Sequence, residues 1–277
     1  MKPKAPAPPA AAERELMKIP GAEPSSRIDS WWGLVIGIIV LTVALVIFSP
    51  DPYRRIVLFV RDGIAITLTL TVSSFFLVLF VGLLGGLGRI SKNKFLRGIT
   101  TLYVELVRGI PLLVQLLYWY YAFPSIVHSL GAALNMPALE NYRANAVAMA
   151  VLGMTFCYGA YMTEIYRAGI QSIPKGQLEA ARSLGMSYMQ AMRHVVLPQA
   201  IRVILPPVGN EFISLLKDSS LASVVAVTEL TRRGREFMSA TYMPIETWTM
   251  VGLLYLIMTL FSSRLVAWSE RRMQFER

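Results

Sequence analysis

Cysteine and histidine are nearly missing from this chain. It has one cysteine, Cys157, and two histidines, His128 and His194, in 277 residues. A single thiol excludes an intrachain disulfide and any Cys-rich metal centre. The histidines lie too far apart in sequence to suggest a metal pair. No G-x-x-x-x-G-K-S/T stretch is present, so the chain has no recognisable phosphate loop of its own. Nothing assembles a nucleophile with a base, or a metal set such as H-E-x-x-H. The expectation is a protein without catalytic residues, cofactor or metal. Charge is scarce too: Asp, Glu, Lys and Arg make up 16% of the residues, against about 25% in an ordinary soluble domain.

What is abundant is hydrocarbon. Apolar residues make up 55% of the chain and the mean hydropathy is +0.51. This composition predicts an all-α integral membrane bundle. The net charge of +10 fits cytoplasmic loops rich in Lys and Arg better than a nucleic-acid partner.

Residues 1–30 are rich in Pro and Ala and show no apolar periodicity, which predicts a disordered cytosolic tail. Its alternative, a targeting peptide, lacks a clear small-residue cleavage site. Residues 31–48 are uncharged and open on two Trp, as a membrane span with an interfacial anchor does. Pro50-Asp51-Pro52 then breaks the chain, and the amphipathic run 53–62 is expected to lie along a surface. Residues 63–88 form the clearest span, 26 uncharged residues long. Gly82 and Gly86 give it a G-x-x-x-G spacing, for a homodimer or for a neighbouring helix of the same bundle. A basic turn follows at 89–97.

Residues 99–124 form the next span, which Pro111 should kink and which ends in the aromatic belt Tyr118 to Tyr121. After a connecting segment, 144–163 is a further span of 20 uncharged residues. Residues 201–228 are apolar but interrupted by Pro206, Pro207, Glu211, Lys217 and Asp218. They read as a broken pore-side helix followed by an irregular segment, tolerated at that depth only where protein or a cavity covers it. Residues 247–263 form the last of about six spans, and 266–277 a basic cytosolic tail. With the N-terminus inside and the spans alternating, 18 of the 27 Lys and Arg fall inside and eight outside, which favours both termini in the cytoplasm. The misfit is 217–235, whose basic residues suit an outside loop poorly. That region is expected to fold back against the bundle.

One polar island, residues 177–198, stands between apolar segments. Its first part favours a short helix. Gly185 suits the stop of that helix, and Ser187 with Gln190 reads as a capping box opening a second one. Pro198 should end or kink the second. Ala180 and Ala181 would let a partner approach the backbone closely, with Glu179, Arg182 and Arg193 as polar contacts.

Glu179-Ala180-Ala181, three residues, Gly185, nine residues, Val195, one residue and Leu197-Pro198 together resemble the EAA loop of ABC importer permeases. Val195 stands where that pattern usually has Ile. Three further stretches resemble permease blocks of polar amino-acid importers: YVELVRGIPLLVQ at 103–115, GAYMTEIYRAG at 159–169 and LPPVGNEFISLLKDSSL at 205–221. The resemblance implies a type I (MetI-like) permease fold over 63–265, with the EAA loop at 170–200 and 31–62 added in front as an extra span and connector. It also implies a place in a bacterial inner membrane, a second permease subunit, cytosolic ABC ATPase subunits that dock on the loop, and an external solute-binding protein. The substrate would be a polar amino acid of the histidine, glutamine, glutamate, arginine or opine kind.

Charges inside spans are expensive and functional by default. Arg108 can meet a carboxylate bidentately. Glu105, Glu164 and Glu211 can meet an ammonium, and Asn210 offers both a donor and an acceptor. Each has a structural alternative. Glu105 with Arg108, and Glu164 with Arg167, are three residues apart and can pair along a helix. Asn210 and Glu211 can repair the Pro206-Pro207 break, and Lys217 and Asp218 can pair at a helix end. A rival function, an ion-coupled secondary transporter or channel working alone, would use these charges as an ion path. It would leave the EAA loop without a role, and the chain shows no clear internal repeat of the kind many such transporters carry.

Overall fold

The computed structural model describes residues 30–274, and the expected N-terminal tail lies outside the described residues. Its first helices are α1 (Ser30–Phe48), α2 (Pro50–Ile90), α3 (Lys94–Arg108), α4 (Leu112–Leu117), α5 (Phe123–Ala133), α6 (Pro137–Glu140) and α7 (Ala146–Gln171). Then come α8 (Lys175–Ser183), α9 (Tyr188–Ala191), α10 (Leu197–Asp218), α11 (Leu230–Thr241) and α12 (Pro244–Gln274). Wide π turns join α4 to α5 and α9 to α10, and a 3₁₀ segment, Ser219–Val225, follows α10. No strand occurs among the described residues. Among the described residues four helices can cross a membrane by length and composition, five if the bent pair around residue 110 counts as one span. The sixth span read from the sequence is α10, which carries Glu211, Lys217 and Asp218.

The segment 53–62 is not a separate surface helix. It runs into the following span within α2, whose 41 residues include a kink at Asp51 near the start and span about 60 Å at 1.5 Å per residue. The buried positions Ile56, Val60, Gly63, Thr67, Leu70, Thr71, Ser74 and Val78 repeat every three or four residues, so one stripe faces the bundle from end to end. Ile56 and Val60 pack with Leu230, Phe237, Met250 and Val251, which are residues of α11 and α12.

The centre of the bundle is the crossing of α2 and α7. A Cβ on Gly82 or Gly85 would overlap Met162 or Thr163, and one on Gly86 would lie 2.8 Å from Tyr166 Cβ. The G-x-x-x-G spacing therefore serves packing within the chain. Leu70, Val78, Met154, Cys157, Met162 and Leu215 fill the core around it.

Segment 217–235 does fold back. The 3₁₀ turn ends at Ala226 in the left-handed region, φ +62°, and α11 lies against α2 and α12. Glu229 caps α11, accepting from the backbone N–H groups of Thr231 (2.9 Å) and Arg232 (2.8 Å) and from the Tyr255 hydroxyl (2.7 Å). Burial pushes the Glu229 carboxyl above its ordinary range, and those donors oppose the shift. Arg233 pairs with Asp62 of α2 and with Glu236, and Arg232 with Glu236. Arg232 and Arg233, two of the basic residues that fit an outside loop poorly, are thus paired with acids of α11 and α2.

Two further readings change. α10 runs without interruption through Pro206 and Pro207, although each removes a backbone donor. The last span continues as helix to Gln274, so most of the expected C-terminal tail is helical. A larger side chain in the α2–α7 crossing should overpack it. Gly85→Leu is expected to destabilise the chain by about 1–3 kcal/mol, read as a lower thermal midpoint of the detergent-purified protein. Gly37→Ala, where nothing lies within 4 Å, should stay within about 0.5 kcal/mol. Equal midpoints for Gly85→Leu and wild type would mean the crossing is not tightly packed.

Candidate functional site

Between α3 and α4 the chain breaks at Gly109-Ile110-Pro111, and the flanking helical segments bend by 103°. Sequence reading expected a kink at Pro111, and the bend is far larger. Pro111 has extended backbone, φ −57° and ψ 139°, so α4 starts anew after it. A break inside a membrane exposes carbonyls that hydrocarbon cannot satisfy. Here one side chain does so: the Gln115 amide donates to Val107 O and Ile110 O, both at 2.9 Å, and reaches Cys157 Sγ at 3.4 Å.

The break opens a cavity of about 500 Å³ bounded by α7 and the last turns of α10. Arg108, Tyr158, Tyr161, Glu211, Ser214 and Asp218 supply its polar lining. The Arg108 guanidinium lies over the Tyr161 ring, 4.9 Å from the centroid. The Tyr158 hydroxyl donates to Asp218 Oδ2 at 2.7 Å. One cation thus faces two carboxylates across a space of the size that takes a small ligand. Halfway along a span, such an arrangement can replace water around a carboxylate and an ammonium together.

Of the residues expected in the path, Arg108 and Glu211 line this cavity. Glu105 lines a separate shallow groove with Lys94, Arg97 and Thr101, and no ion pair joins it to Arg108 among the described residues. Glu164 sits in an ion cluster: Arg167 Nε donates to it at 2.9 Å, and Arg89 of α2 approaches at 3.4 Å. Its structural alternative therefore describes its surroundings, with the addition that Arg89 ties α2 to α7. Asn210 is exposed and outside the cavity lining. Sequence reasoning missed Tyr158, Tyr161 and Ser214, and treated Asp218 as a partner for Lys217. A hydroxyl on α7 holds Asp218 instead. No local spacing announces that pairing, because the two residues belong to different helices.

A second site lies at the other end of α10. The helix α8 stops in a Schellman motif: Met186 N–H donates to Ala181 O at 3.2 Å and Gly185 N–H to Arg182 O at 3.0 Å, with Gly185 at φ +86°. The capping box at Ser187 and Gln190 forms as expected, with bonds of 2.9 and 3.3 Å. Ala181 is buried in the hairpin seam, whereas Glu179 and Ala180 are exposed, so only one of the two alanines faces outward. α9 is a single turn. The π turn 192–196 then admits Pro198, whose ring and missing N–H forbid a regular bond. Helix continues into α10 rather than ending. At the hairpin tip Leu184 is 82% and Met189 72% exposed, with Tyr188 beside them.

Residues 78–275 match the family described as binding-protein-dependent transport system inner membrane component; α1 lies outside that match. Over 213 residues, 77% of this chain and 92% of the relative, the sequence is 35% identical to the glutamine transport system permease protein GlnP of Escherichia coli (strain K12). Over 174 residues, 63% of this chain and 68% of the relative, it is 41% identical to the L-cystine transport system permease protein TcyB of Bacillus subtilis (strain 168). The fold is similar to the crystal structure of an amino acid ABC transporter with histidines, with TM-score 0.69, 36% identity and coverage of 83% of this chain and 98% of that one. It is also similar to the inward-facing MetNI methionine ABC transporter, with TM-score 0.62 over 78% of this chain and 96% of that one; at 20% identity this likeness shows the fold alone.

Gln115 tests the account of the break. Gln115→Leu leaves the Ile110 carbonyl without its donor and the Val107 carbonyl with only the Ile110 backbone N–H at 3.3 Å, at about 1–3 kcal/mol for a buried group left unsatisfied. A lower thermal midpoint is expected. An unchanged midpoint would mean that water or another group already serves those carbonyls.

Proposed function

The chain belongs to the family of binding-protein-dependent transport system inner membrane components, and from that membership we propose that it is the permease subunit of an ATP-driven importer for a polar amino acid. The observation that carries this reading is one unbroken helical path, from Tyr188 in the hairpin to Asp218 at the cavity. A force applied at the hairpin reaches the polar cavity through a single rod.

The hairpin is the docking element for a cytosolic ABC ATPase subunit. Exposed Leu184, Tyr188 and Met189 form an apolar tip of the kind that marks a partner surface. Glu179, Arg182 and Arg193 add directional contacts. Helix α8 and the hairpin lie in the cytoplasm with both chain termini, as the Lys and Arg distribution favours. ATP hydrolysis belongs to the ATPase subunit, since this chain carries no phosphate loop.

The cavity is the chain's part of the translocation path. Arg108 meets the substrate carboxylate, and Glu211 and Asp218 meet its ammonium. Arg108 is exposed on the isolated chain, and a guanidinium facing lipid at mid-depth is costly. A second permease subunit, the same chain or a similar one, therefore covers this face and leaves water or substrate between the two. An external solute-binding protein delivers the amino acid to the outward-open state. ATP binding draws the ATPase subunits together, the hairpins carry that motion into α10, and hydrolysis resets the cycle. The relatives named for glutamine and cystine support a polar amino acid.

The test is reconstitution in lipid with the candidate ATPase subunit and a binding protein, adding polar amino acids one at a time. Stimulation of ATP hydrolysis by one amino acid is expected. Failure to associate with any ATPase subunit, with uptake driven only by an ion gradient, would favour the secondary-transporter reading. In the same system Glu179→Lys should uncouple hydrolysis from uptake while the thermal midpoint holds; wild-type uptake would sink the docking assignment. Arg108→Gln should lower uptake about 10- to 100-fold, the worth of one charge-assisted hydrogen bond. ATPase association should persist in that variant, and unchanged uptake would remove Arg108 from the path.

A further inference from the structure

We propose that the groove on α3 between Lys94 and Glu105 is a second binding site for the transported amino acid, occupied between the Arg108 cavity and the cytoplasm. The assignment rests on the importer reading and extends it to residues that reading leaves unused. The groove has a volume of about 460 Å³. Lys94, Arg97, Thr101 and Glu105 supply its polar lining, and Gly98 and Leu102 complete it.

Helix geometry puts these residues in line with the cavity. At 100° per residue, Lys94, Arg97, Thr101, Glu105 and Arg108 fall within an arc of about 80°. Along the axis they extend for about 21 Å, from the basic turn to the break at Gly109. α3 therefore has three faces. Val104 and Val107 form the seam that packs with Ala160. Phe95, Ile99 and Leu106 form an exposed apolar face. The charged stripe is the third. Charges that face lipid are costly, so this face borders water.

The groove suits a zwitterion. Lys94, Arg97 and Glu105 are exposed, and no ion pair holds any of them among the described residues. Arg97 offers a carboxylate a two-pronged donor, with Lys94 one turn away. Glu105 accepts from an ammonium. The lining thus repeats the chemistry of the Arg108 cavity, a cation near a carboxylate. A Cβ on Gly98 would meet nothing within 4 Å, so no contact within the chain requires glycine there, although glycine weakens a helix relative to alanine. Its missing side chain leaves the groove open. Three cations against one acid keep the stripe positive, and the substrate carboxylate can pass from Arg108 to Arg97 within that field. Sites in series bind weakly enough to let the substrate leave, where one tight site would hold it.

Cysteine labelling reads the stripe. The full importer, permease with ATPase subunit, is placed in lipid nanodiscs without nucleotide. The permease carries Thr101→Cys, and a parallel sample carries Ser214→Cys in the Arg108 cavity. The unsubstituted chain, whose one cysteine is Cys157, gives the background. The reagent is a membrane-impermeant, negatively charged methanethiosulfonate. L-Glutamine, L-histidine, L-glutamate and L-arginine are added in turn, and each rate is compared with that of the same variant without amino acid. The Thr101→Cys chain should label, and one amino acid should slow its labelling about tenfold at about ten times the dissociation constant. Adding Arg97→Gln or Glu105→Gln should raise the concentration that protects position 101 at least about tenfold. Protection at position 214 should not change. Protection at 214 without protection at 101 would overturn this site and leave the importer reading standing, whereas protection at neither would remove both. Absent labelling at 101 would mean that lipid or a second permease subunit covers the stripe. Protection at 101 that survives both substitutions would place the amino acid elsewhere. Either of these results overturns the proposal.

Discussion

The crossing of α2 and α7 is the interaction on which the other helices depend. Hydrocarbon gives two helices no hydrophobic reason to meet, so close backbone approach and dispersion must hold them. Glycines on α2 supply the approach, and Met162, Thr163 and Tyr166 on α7 fill the space left by the missing side chains. The same crossing extends to α10, where Gly169 on α7 meets Ile204. Around this centre α3 and α10 lie against α7 on the side that opens as the polar cavity. A shift of the crossing would move both walls of that cavity.

Polar groups are placed under an equally strict condition. Several breaks and charges within the bundle have partners that lipid could not supply. Gln115 serves the carbonyls freed at Gly109-Ile110-Pro111. Glu229 caps α11 from a fully buried position. Arg233 is matched by Asp62 and Glu236, and Glu164 by Arg167 and Arg89. Against that pattern Arg108 stands out, because an aromatic face is its neighbour and the cavity its outlook.

Helix α10 joins the polar hairpin to the polar cavity. Its first turns grow out of the hairpin through a π turn, and its last turns carry Glu211, Ser214 and Asp218 into the cavity. Gly209 packs directly on Val266 of α12, so α10 is braced along its length. The two prolines in the middle weaken its internal bonding without interrupting it. Contacts with α7 and α12 support the helix on both sides of that stretch.

Much of this architecture was legible in residue order. Long uncharged runs specify spans because a bilayer has a fixed thickness. Gly185, Ser187 and Gln190 specify the hairpin because caps are local hydrogen-bond chemistry. The family resemblance was likewise legible in four blocks of sequence. Other features were not. Segment 53–62 reads as a surface helix on its own, and it becomes the end of α2 only because α11 and α12 cover Ile56 and Val60. Pro206 and Pro207 read as a break, and neighbouring helices hold them in line. By itself the sequence determined that the chain crosses a membrane, where it turns and where the polar hairpin forms, since each depends on residues near one another. Only the tertiary structure decided which charges share the cavity. Arg108, Tyr158, Glu211 and Asp218 come from three helices, and spacing along one helix carries no record of which faces of the others it will meet.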